Sequence, residues 1–86
     1  MISFNQYCLL DQGAQAELLW LDGVYLDLMR ETPQFNIELY SLYNYYVEIF
    51  FDRSSGEPLQ LNAFQNQKEL EPYLHLIDID GIFQAG

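Results

Sequence analysis

Basic residues and cysteines are scarce in this sequence of 86 residues. Only Arg30, Arg53 and Lys68 are basic. Nucleic-acid binding requires several Lys or Arg side chains at phosphates, and attraction to anionic lipid requires basic clusters, so we expect neither a nucleic-acid nor a membrane partner. Cys8 is the only cysteine, which excludes a disulfide within the chain and gives no sign of an oxidising compartment.

Long hydrophobic segments are also missing. The N-terminal residues have neither a basic stretch nor a sustained apolar run, so we expect no signal peptide. The longest apolar runs, such as residues 18–21, are far shorter than the ~20 residues that span a bilayer. The sequence therefore predicts a cytoplasmic protein.

Motifs of catalysis and phosphate binding are absent too. The chain has no Gly-rich phosphate loop, no paired metal-ligating cysteines and no Gly-x-Ser-x-Gly elbow. Its thirteen acids form carboxylate pairs by chance at this density, so such pairs do not indicate acid–base chemistry. We predict no cofactor and favour a non-catalytic protein, with an enzyme left open.

Two features near the C-terminal end invite comparison with metal sites. The Asp-Ile-Asp-Gly run that begins at Asp78 is spaced like the middle of a calcium loop, but the first ligand position then falls on Leu76, which has no side-chain oxygen. His75 is the only histidine and has Glu71 nearby if a helix continues. A single histidine at a helix end is usually solvated, so we predict an acidic turn and no metal site.

Apolar and acidic residues dominate what is present. Half of the residues are apolar and 16% are aromatic, far more than a disordered chain contains. Thirteen acids leave a net charge of −10, so a basic protein or a cation is the natural electrostatic partner. A chain of 86 residues is too short for two cores, and residues 1–86 are predicted to form a single domain.

A helix is predicted first along the chain. Apolar residues at three-to-four spacing predict it over residues 12–22, with Asp11 as the N-cap and Gly23 just past the end. The competing interpretation is a hairpin that turns at Asp22 and Gly23.

Four strands and a second helix follow. From Val24 the apolar period becomes two, with Leu26 and Leu28 on the same face as Val24. The same alternation predicts strands over residues 35–42, 46–51 and 59–64. Asn66 then begins a capping-box pattern for a short helix, which Pro72 either kinks or starts, and Ile77 continues the helical spacing. The sequence thus predicts an α+β fold: a four-stranded antiparallel meander sheet with an N-terminal helix and a short C-terminal helix, both packed on its aliphatic face.

The loop lengths determine which residues pair across the sheet. A three-residue loop over residues 43–45 pairs Leu39 with Ile49, whereas a two-residue loop pairs Leu39 with Glu48 and puts a charge into the core stripe. We therefore favour the longer loop. The next connection is predicted as a five-residue hairpin loop with Gly56 in a left-handed conformation, and by the same counting it pairs Phe51 with Leu59.

This register gives the sheet a second face rich in aromatic rings. Its predicted members are Tyr25, Met29, Tyr40, Leu42, Tyr46, Phe50 and Phe64, with the acids Asp27, Glu38 and Glu48 between them. A sheet with one covered face normally turns polar residues to water. Four or five uncovered rings, at roughly 150–250 Å² each, would exceed the apolar patch of an ordinary monomer.

Three interpretations of this face compete. The N-terminal helix covers it while the C-terminal helix covers the opposite face, or tyrosine hydroxyls let half-exposed rings meet water, or the face is an interface. We favour an interface with a protein partner or with a second copy of the chain. The residues predicted to form it are Tyr25, Asp27, Tyr40, Tyr46, Glu48, Phe50 and Phe64.

An alternative function uses the same residues for a smaller ligand. The rings would line a cleft for a small molecule or a cation, and Glu48 or Asp27 would meet its positive group. A third possibility, an acidic decoy for a nucleic-acid-binding protein, is disfavoured because the acids are dispersed along the sequence.

One stretch of the chain resembles a known group of proteins. The run from Tyr45 to Asp52 (YYVEIFFD), with IELY before it at Ile37 and LEPYL after it at Leu70, is similar to small uncharacterised bacterial proteins that share an aromatic-Tyr-Val-Glu-Val run before a hairpin. The resemblance covers about half of the chain. It implies a bacterial source and carries no assigned activity.

Overall fold

An antiparallel sheet lies at the centre of the computed structural model, which describes residues 1–74. Its strands pair in the order β1-β2-β3-β4 and are Val24–Glu31, Phe35–Leu42, Tyr45–Asp52 and Pro58–Phe64. Helices α1 (Phe4–Leu9) and α2 (Gln12–Asp22) precede the sheet, and a 3₁₀ turn (Gln67–Leu70) leads into α3 (Glu71–Leu74). The predicted α+β meander with helices at both ends is confirmed.

Local signals at both ends of α2 explain why it forms. The Asp11 carboxylate accepts a hydrogen bond from the Ala14 amide at 2.8 Å, and the Gly23 amide donates to the Leu19 carbonyl at 2.8 Å. A side chain at residue 23 would overlap that carbonyl oxygen and the Leu19 side chain, so the close approach requires glycine. The predicted helix is confirmed over the competing hairpin at Asp22 and Gly23.

The first helix, α1, was not predicted, although its start carries a sequence signature. Ser3 Oγ accepts from the Gln6 amide at 3.1 Å, and Gln6 Oε1 accepts from the Ser3 amide at 3.0 Å, which is a capping box. Tyr7 joins the two N-terminal helices: its hydroxyl donates to the Gln15 carbonyl at 2.7 Å, and the Gln15 amide side chain donates back to the Tyr7 carbonyl at 2.9 Å.

The predicted pairing of β2 with β3 is wrong by one residue. Leu39 pairs with Glu48, as the rejected two-residue loop at Tyr43 and Asn44 requires, and Tyr43 adopts the left-handed conformation with φ of 56°. The sequence disfavours that register because it places the charged Glu48 among the apolar residues of the core. Other side chains bind this charge in the fold, so the register carries no uncompensated charge.

The pairing of both edge strands, β1 and β4, also departs in part from the register predicted by the loop lengths and alternation. The predicted β3–β4 register holds from the pair Tyr46–Phe64 to the pair Phe50–Gln60, and an irregularity after Phe50 then pairs Phe51 with Pro58 and not with Leu59. Gly56 takes the predicted left-handed conformation with φ of 76°. In β1 the pairing shifts between Tyr25 and Leu28, so the predicted strict alternation fails there.

Each face of the sheet is covered by different helices. Helices α1 and α2 pack on one face around Leu42, Tyr45 and Val47, which we call the α2 face. The opposite face, the α3 face, buries Leu39 and Phe64 under Tyr73 of α3. The prediction that both helices pack on one aliphatic face is therefore wrong, and the competing arrangement with one end of the chain on each face is found.

Three predictions fall outside the described residues. These are the helical continuation to Ile77, the metal-ligand set around His75 and the acidic turn over residues 78–81. Within the described part of the chain, no helix has both the length and the apolar character needed to cross a membrane.

Candidate functional site

The structure divides the seven predicted interface residues between the two faces. Tyr25 and Tyr40 pair with each other on the α2 face, and Asp27 lies beside them in the irregular stretch of β1, where its φ is 58°. The other four, on the α3 face, are Tyr46, Glu48, Phe50 and Phe64. The prediction of one continuous aromatic face is wrong because the β2–β3 register is shifted by one residue.

On the α3 face, Glu48 is the centre of a buried polar cluster and is 3% exposed. Its carboxylate accepts hydrogen bonds from Arg30 Nη2 at 3.1 Å, Asn62 Nδ2 at 2.9 Å and the Tyr73 hydroxyl at 2.5 Å. The Arg30 guanidinium also lies over the Tyr73 ring, 5.5 Å from its centroid. We call these four residues the Glu48 cluster.

The polar groups of the Glu48 cluster bond to one another, so the cluster stabilises the fold and is not available to a ligand. Burial and then the hydrogen bond to Glu48 raise the pKa of Tyr73. Burial alone would lower the pKa of Arg30, but the adjacent Tyr73 and Glu48 side chains raise it overall, so the guanidinium stays charged. A helix of four residues has little stability of its own, and the cluster adds polar contacts to the packing of Tyr73 on Leu39 and Phe64. Binding of a partner at Glu48 would require α3 to move away.

The remaining residues of the α3 face pack as pairs of rings. Tyr46 stacks on Phe64 with centroids 5.5 Å apart and an interplanar angle of 24°. Phe50 meets Phe35 edge to face at 5.5 Å and 83°. These contacts are ordinary core geometry for aromatic side chains.

The α2 face, in contrast, contains an open groove. Helix α2 crosses only part of the sheet, and a cavity of about 630 Å³ lies between it and the strands. The floor is apolar and includes Ile49, Phe51 and Leu61, and Leu59 of the edge strand β4 lines it too. We call this cavity the α2 groove.

One side of α2 forms a wall of the groove. The residues of α2 that line the groove on this side follow helical spacing, and they are Gln12, Gly13, Ala16 and Trp20. Small side chains at two of these positions leave room above the strands. Trp20 is 89% exposed, which is unusual for the largest apolar side chain of the protein.

At the β1–β2 end of the groove, two tyrosines meet two acids. Tyr25 and Tyr40 both line the groove, with ring centroids 5.2 Å apart and an interplanar angle of 42°. The Tyr40 hydroxyl donates to Glu38 Oε1 at 2.9 Å, and burial together with this bond raises the pKa of Tyr40 to about 12. Burial and the nearby charges of Glu38 and Asp27 raise the pKa of Tyr25. We call these four residues the tyrosine–acid corner.

Sequence reasoning found part of this site and missed part. It selected Tyr25, Asp27 and Tyr40, and its cation-binding alternative named Asp27 as an anion. It missed Trp20 and the groove, because periodicity predicts that α2 exists without fixing how much of the sheet it covers. The one available signal was a tryptophan on a helix that carries small residues at neighbouring positions.

Neither a metal-ligand set within residues 1–74 nor a known relative indicates what this site binds. Residues 1–74 contain no group of three or more His, Cys, Asp or Glu side chains placed to hold a metal ion. No protein-family model, curated protein or solved structure matches the chain. The resemblance to small bacterial proteins stays a prediction, and function has to be inferred from the residues of the fold.

Proposed function

We propose that this chain is a non-catalytic protein-interaction module whose α2 groove binds apolar side chains of a different protein. The observation that carries the proposal is the groove itself: about 630 Å³, an apolar floor, and Trp20 on its wall with 89% of its surface exposed. Exposed apolar patches of this kind mark interaction sites, and tryptophan is enriched among the residues that dominate binding energy.

Other exposed apolar side chains extend the surface around the groove. Leu59, on the edge strand, is 53% exposed, and Tyr25 at the opposite end is 44% exposed. Both line the groove. A partner that covered them would remove this apolar area from water, which is the main driving force of association.

A different protein suits this surface better than a second copy of the chain. Each copy carries a net charge of −10, so association of two copies would bring like charges together. A partner that is basic, or less acidic than this chain, avoids that electrostatic repulsion. We place the partner in the cytoplasm, since the exposed free thiol of Cys8 suits a reducing compartment.

The groove volume also favours a second candidate, an apolar small molecule. Small-molecule sites commonly occupy about 300–1,000 Å³ and combine an apolar lining with a few polar groups, and this groove falls in that range. The tyrosine–acid corner would supply the polar groups.

Trp20 is the only tryptophan, so its fluorescence directly reports occupation of the groove. Short peptides are selected from a random display library on the wild-type protein, and their binding is measured by the Trp20 emission maximum. We expect apolar peptides that shift the emission to the blue. Ala16→Gln places an amide in the groove and should weaken binding by about 5- to 150-fold, since a buried unpaired amide costs roughly 1–3 kcal/mol.

Leu21→Gln is the matched control, because Leu21 is 67% exposed on the same helix and does not line the groove. It should leave peptide affinity unchanged. Failure to select any binder, or equal affinity for both variants, would overturn the proposal. A dimer detected by light scattering and weakened by Ala16→Gln would make a second copy the occupant. Blue shifts with fragments of a small-molecule library but with no peptide would establish the second candidate.

A further inference from the structure

The tyrosine–acid corner has the chemistry of a site for a positively charged side chain. The rings of Tyr25 and Tyr40 line the groove and offer their negative faces. The carboxylate of Glu38 is bonded to Tyr40, and Asp27 follows Tyr25 by two residues in the same strand. The hydrogen bond from Tyr40 holds the Glu38 carboxylate in place at 2.9 Å. The raised pKa of Tyr25 has Glu38 and Asp27 among its causes, which is consistent with both negative charges lying near that ring.

These carboxylates are not neutralised by the described part of the chain. The ion pairs within residues 1–74 join Arg30 to Glu48 and Arg53 to Glu31. Glu38 and Asp27 take part in neither. Among residues 1–74, no basic side chain pairs with the two carboxylates beside this exposed apolar surface.

The α3 face shows what such a set of groups binds. In the Glu48 cluster, a guanidinium lies 5.5 Å from the centroid of a tyrosine ring and donates to a glutamate at 3.1 Å, while the tyrosine hydroxyl donates to the same glutamate. The corner repeats the tyrosine and the glutamate bound by its hydroxyl, and it contains no basic side chain from residues 1–74. A tyrosine–glutamate pair thus lies on each face of the sheet: on the α3 face Arg30 supplies the cation, and on the α2 face no residue of 1–74 does.

From this we infer that the partner of the α2 groove is a basic segment, in which a lysine or arginine side chain binds at Tyr25, Tyr40, Glu38 and Asp27 while neighbouring apolar side chains fill the groove. The inference rests on the proposed function and specifies the chemistry of the partner. A cation over a tyrosine ring and a charge-assisted hydrogen bond to a carboxylate are both stronger where water is displaced. The net charge of −10 would also accelerate the approach of a basic partner.

The test uses a set of synthetic peptides that differ at one position. Each peptide has the pattern Leu-Phe-X-Leu in a Gly/Ser frame, where X is Lys, Arg, Gln or Glu, and affinity is measured from Trp20 emission. We expect the Lys and Arg peptides to bind about tenfold or more tightly than the Gln peptide, and the Glu peptide to bind most weakly. Equal affinities for Lys and Gln would overturn the inference and leave the proposed function standing. If none of the four peptides binds and the display selection also fails, both fall.

Variants of the corner identify the residues responsible. Glu38→Gln keeps an acceptor for the Tyr40 hydroxyl, and Asp27→Asn keeps a residue that tolerates positive φ. Each should abolish most of the preference for Lys over Gln. Glu17→Gln, an exposed acid of α2 that does not line the groove, makes the same change in net charge and should keep the preference. An equal loss with Glu17→Gln would show a general effect of charge and would contradict a site at the corner.

Discussion

On the α3 face, a helix of four residues is held over the sheet by Tyr73, which packs on Leu39 and Phe64 and donates a hydrogen bond to Glu48 of the Arg30–Glu48 ion pair. On the α2 face, two helices of six and eleven residues pack around an apolar core and leave a groove. The two faces thus use charge in opposite ways. Glu48 is bonded to three donors and is closed to water, while Glu38 accepts from one tyrosine at the end of an open groove.

This difference separates what stabilises the fold from what is available for binding. Removal of a group from the Glu48 cluster leaves its partners buried without compensation, so stability should respond strongly. Removal of an exposed group at the groove leaves only solvent in its place, so stability should respond weakly and binding strongly. Substitutions on the two faces can test this separation.

The largest loss of stability is expected from Glu48→Ala. The substitution removes the acceptor for Arg30, Asn62 and Tyr73 together, and loss of one partner of a buried ion pair commonly costs about 3–5 kcal/mol. We expect a loss near the lower end of that range, because the Arg30 side chain is 28% exposed and water can reach part of it. The free energy of unfolding, measured by urea denaturation, checks this.

Glu38→Ala is the matched control on the opposite face. It removes one hydrogen bond from Tyr40 and should cost about 1 kcal/mol or less. A loss as large as that of Glu48→Ala would show that the corner is a structural cluster as well, and the contrast between the faces would fail.

Alkaline pH tests the packing of Tyr7 between the helices and the sheet on the α2 face. Burial, and secondarily the neighbouring Tyr45, raises the pKa of Tyr7 from its ordinary value of 10.0 to about 12. Below pH 10 both the folded and the unfolded chain keep this proton, so the stability is unaffected. Between pH 10 and about 12 the unfolded chain releases it while the folded chain retains it, and the contribution of Tyr7 to the free energy of unfolding should fall by roughly 2–3 kcal/mol.

Tyr7→Phe identifies this contribution. The variant loses the hydrogen bond to the Gln15 carbonyl and should be about 1 kcal/mol less stable at neutral pH. Its stability should fall less steeply than that of the wild type above pH 10, as urea midpoints at a series of pH values would show. Parallel curves for the two proteins would mean that Tyr7 does not retain its proton when the chain folds.

Much of this fold could be predicted because its signals are local. Asp11 and Gly23 mark the ends of α2, and period-two alternation marks four strands, each within a few residues of the side chains that determine them. The unpredicted helix α1 also has a local signal, in Ser3 and Gln6.

The β2–β3 register and the α2 groove depend on long-range contacts that counting along a strand does not include. The alternation of residues along β3 does not show what compensates the Glu48 charge, because its partners Arg30 and Tyr73 lie 18 and 25 residues away in sequence. The groove depends in the same way on where α2 crosses the sheet. Tyr25 and Tyr40 were selected for an aromatic face that does not exist as predicted, yet they lie together because β1 pairs with β2.

The smallest change in stability is expected from Trp20→Ala, which separates binding from folding most sharply. Trp20 is 89% exposed, so Trp20→Ala should change the free energy of unfolding by no more than about 0.5 kcal/mol. Its neighbour Leu19 is 5% exposed in the core, and Leu19→Ala should cost about 2 kcal/mol. Because Trp20→Ala removes the fluorophore, peptide affinity is measured by calorimetry, and we expect at least about a tenfold loss. If Trp20→Ala instead destabilised the fold as much as Leu19→Ala does, the exposed indole would be a core contact, and the groove beside it would not be open for a partner.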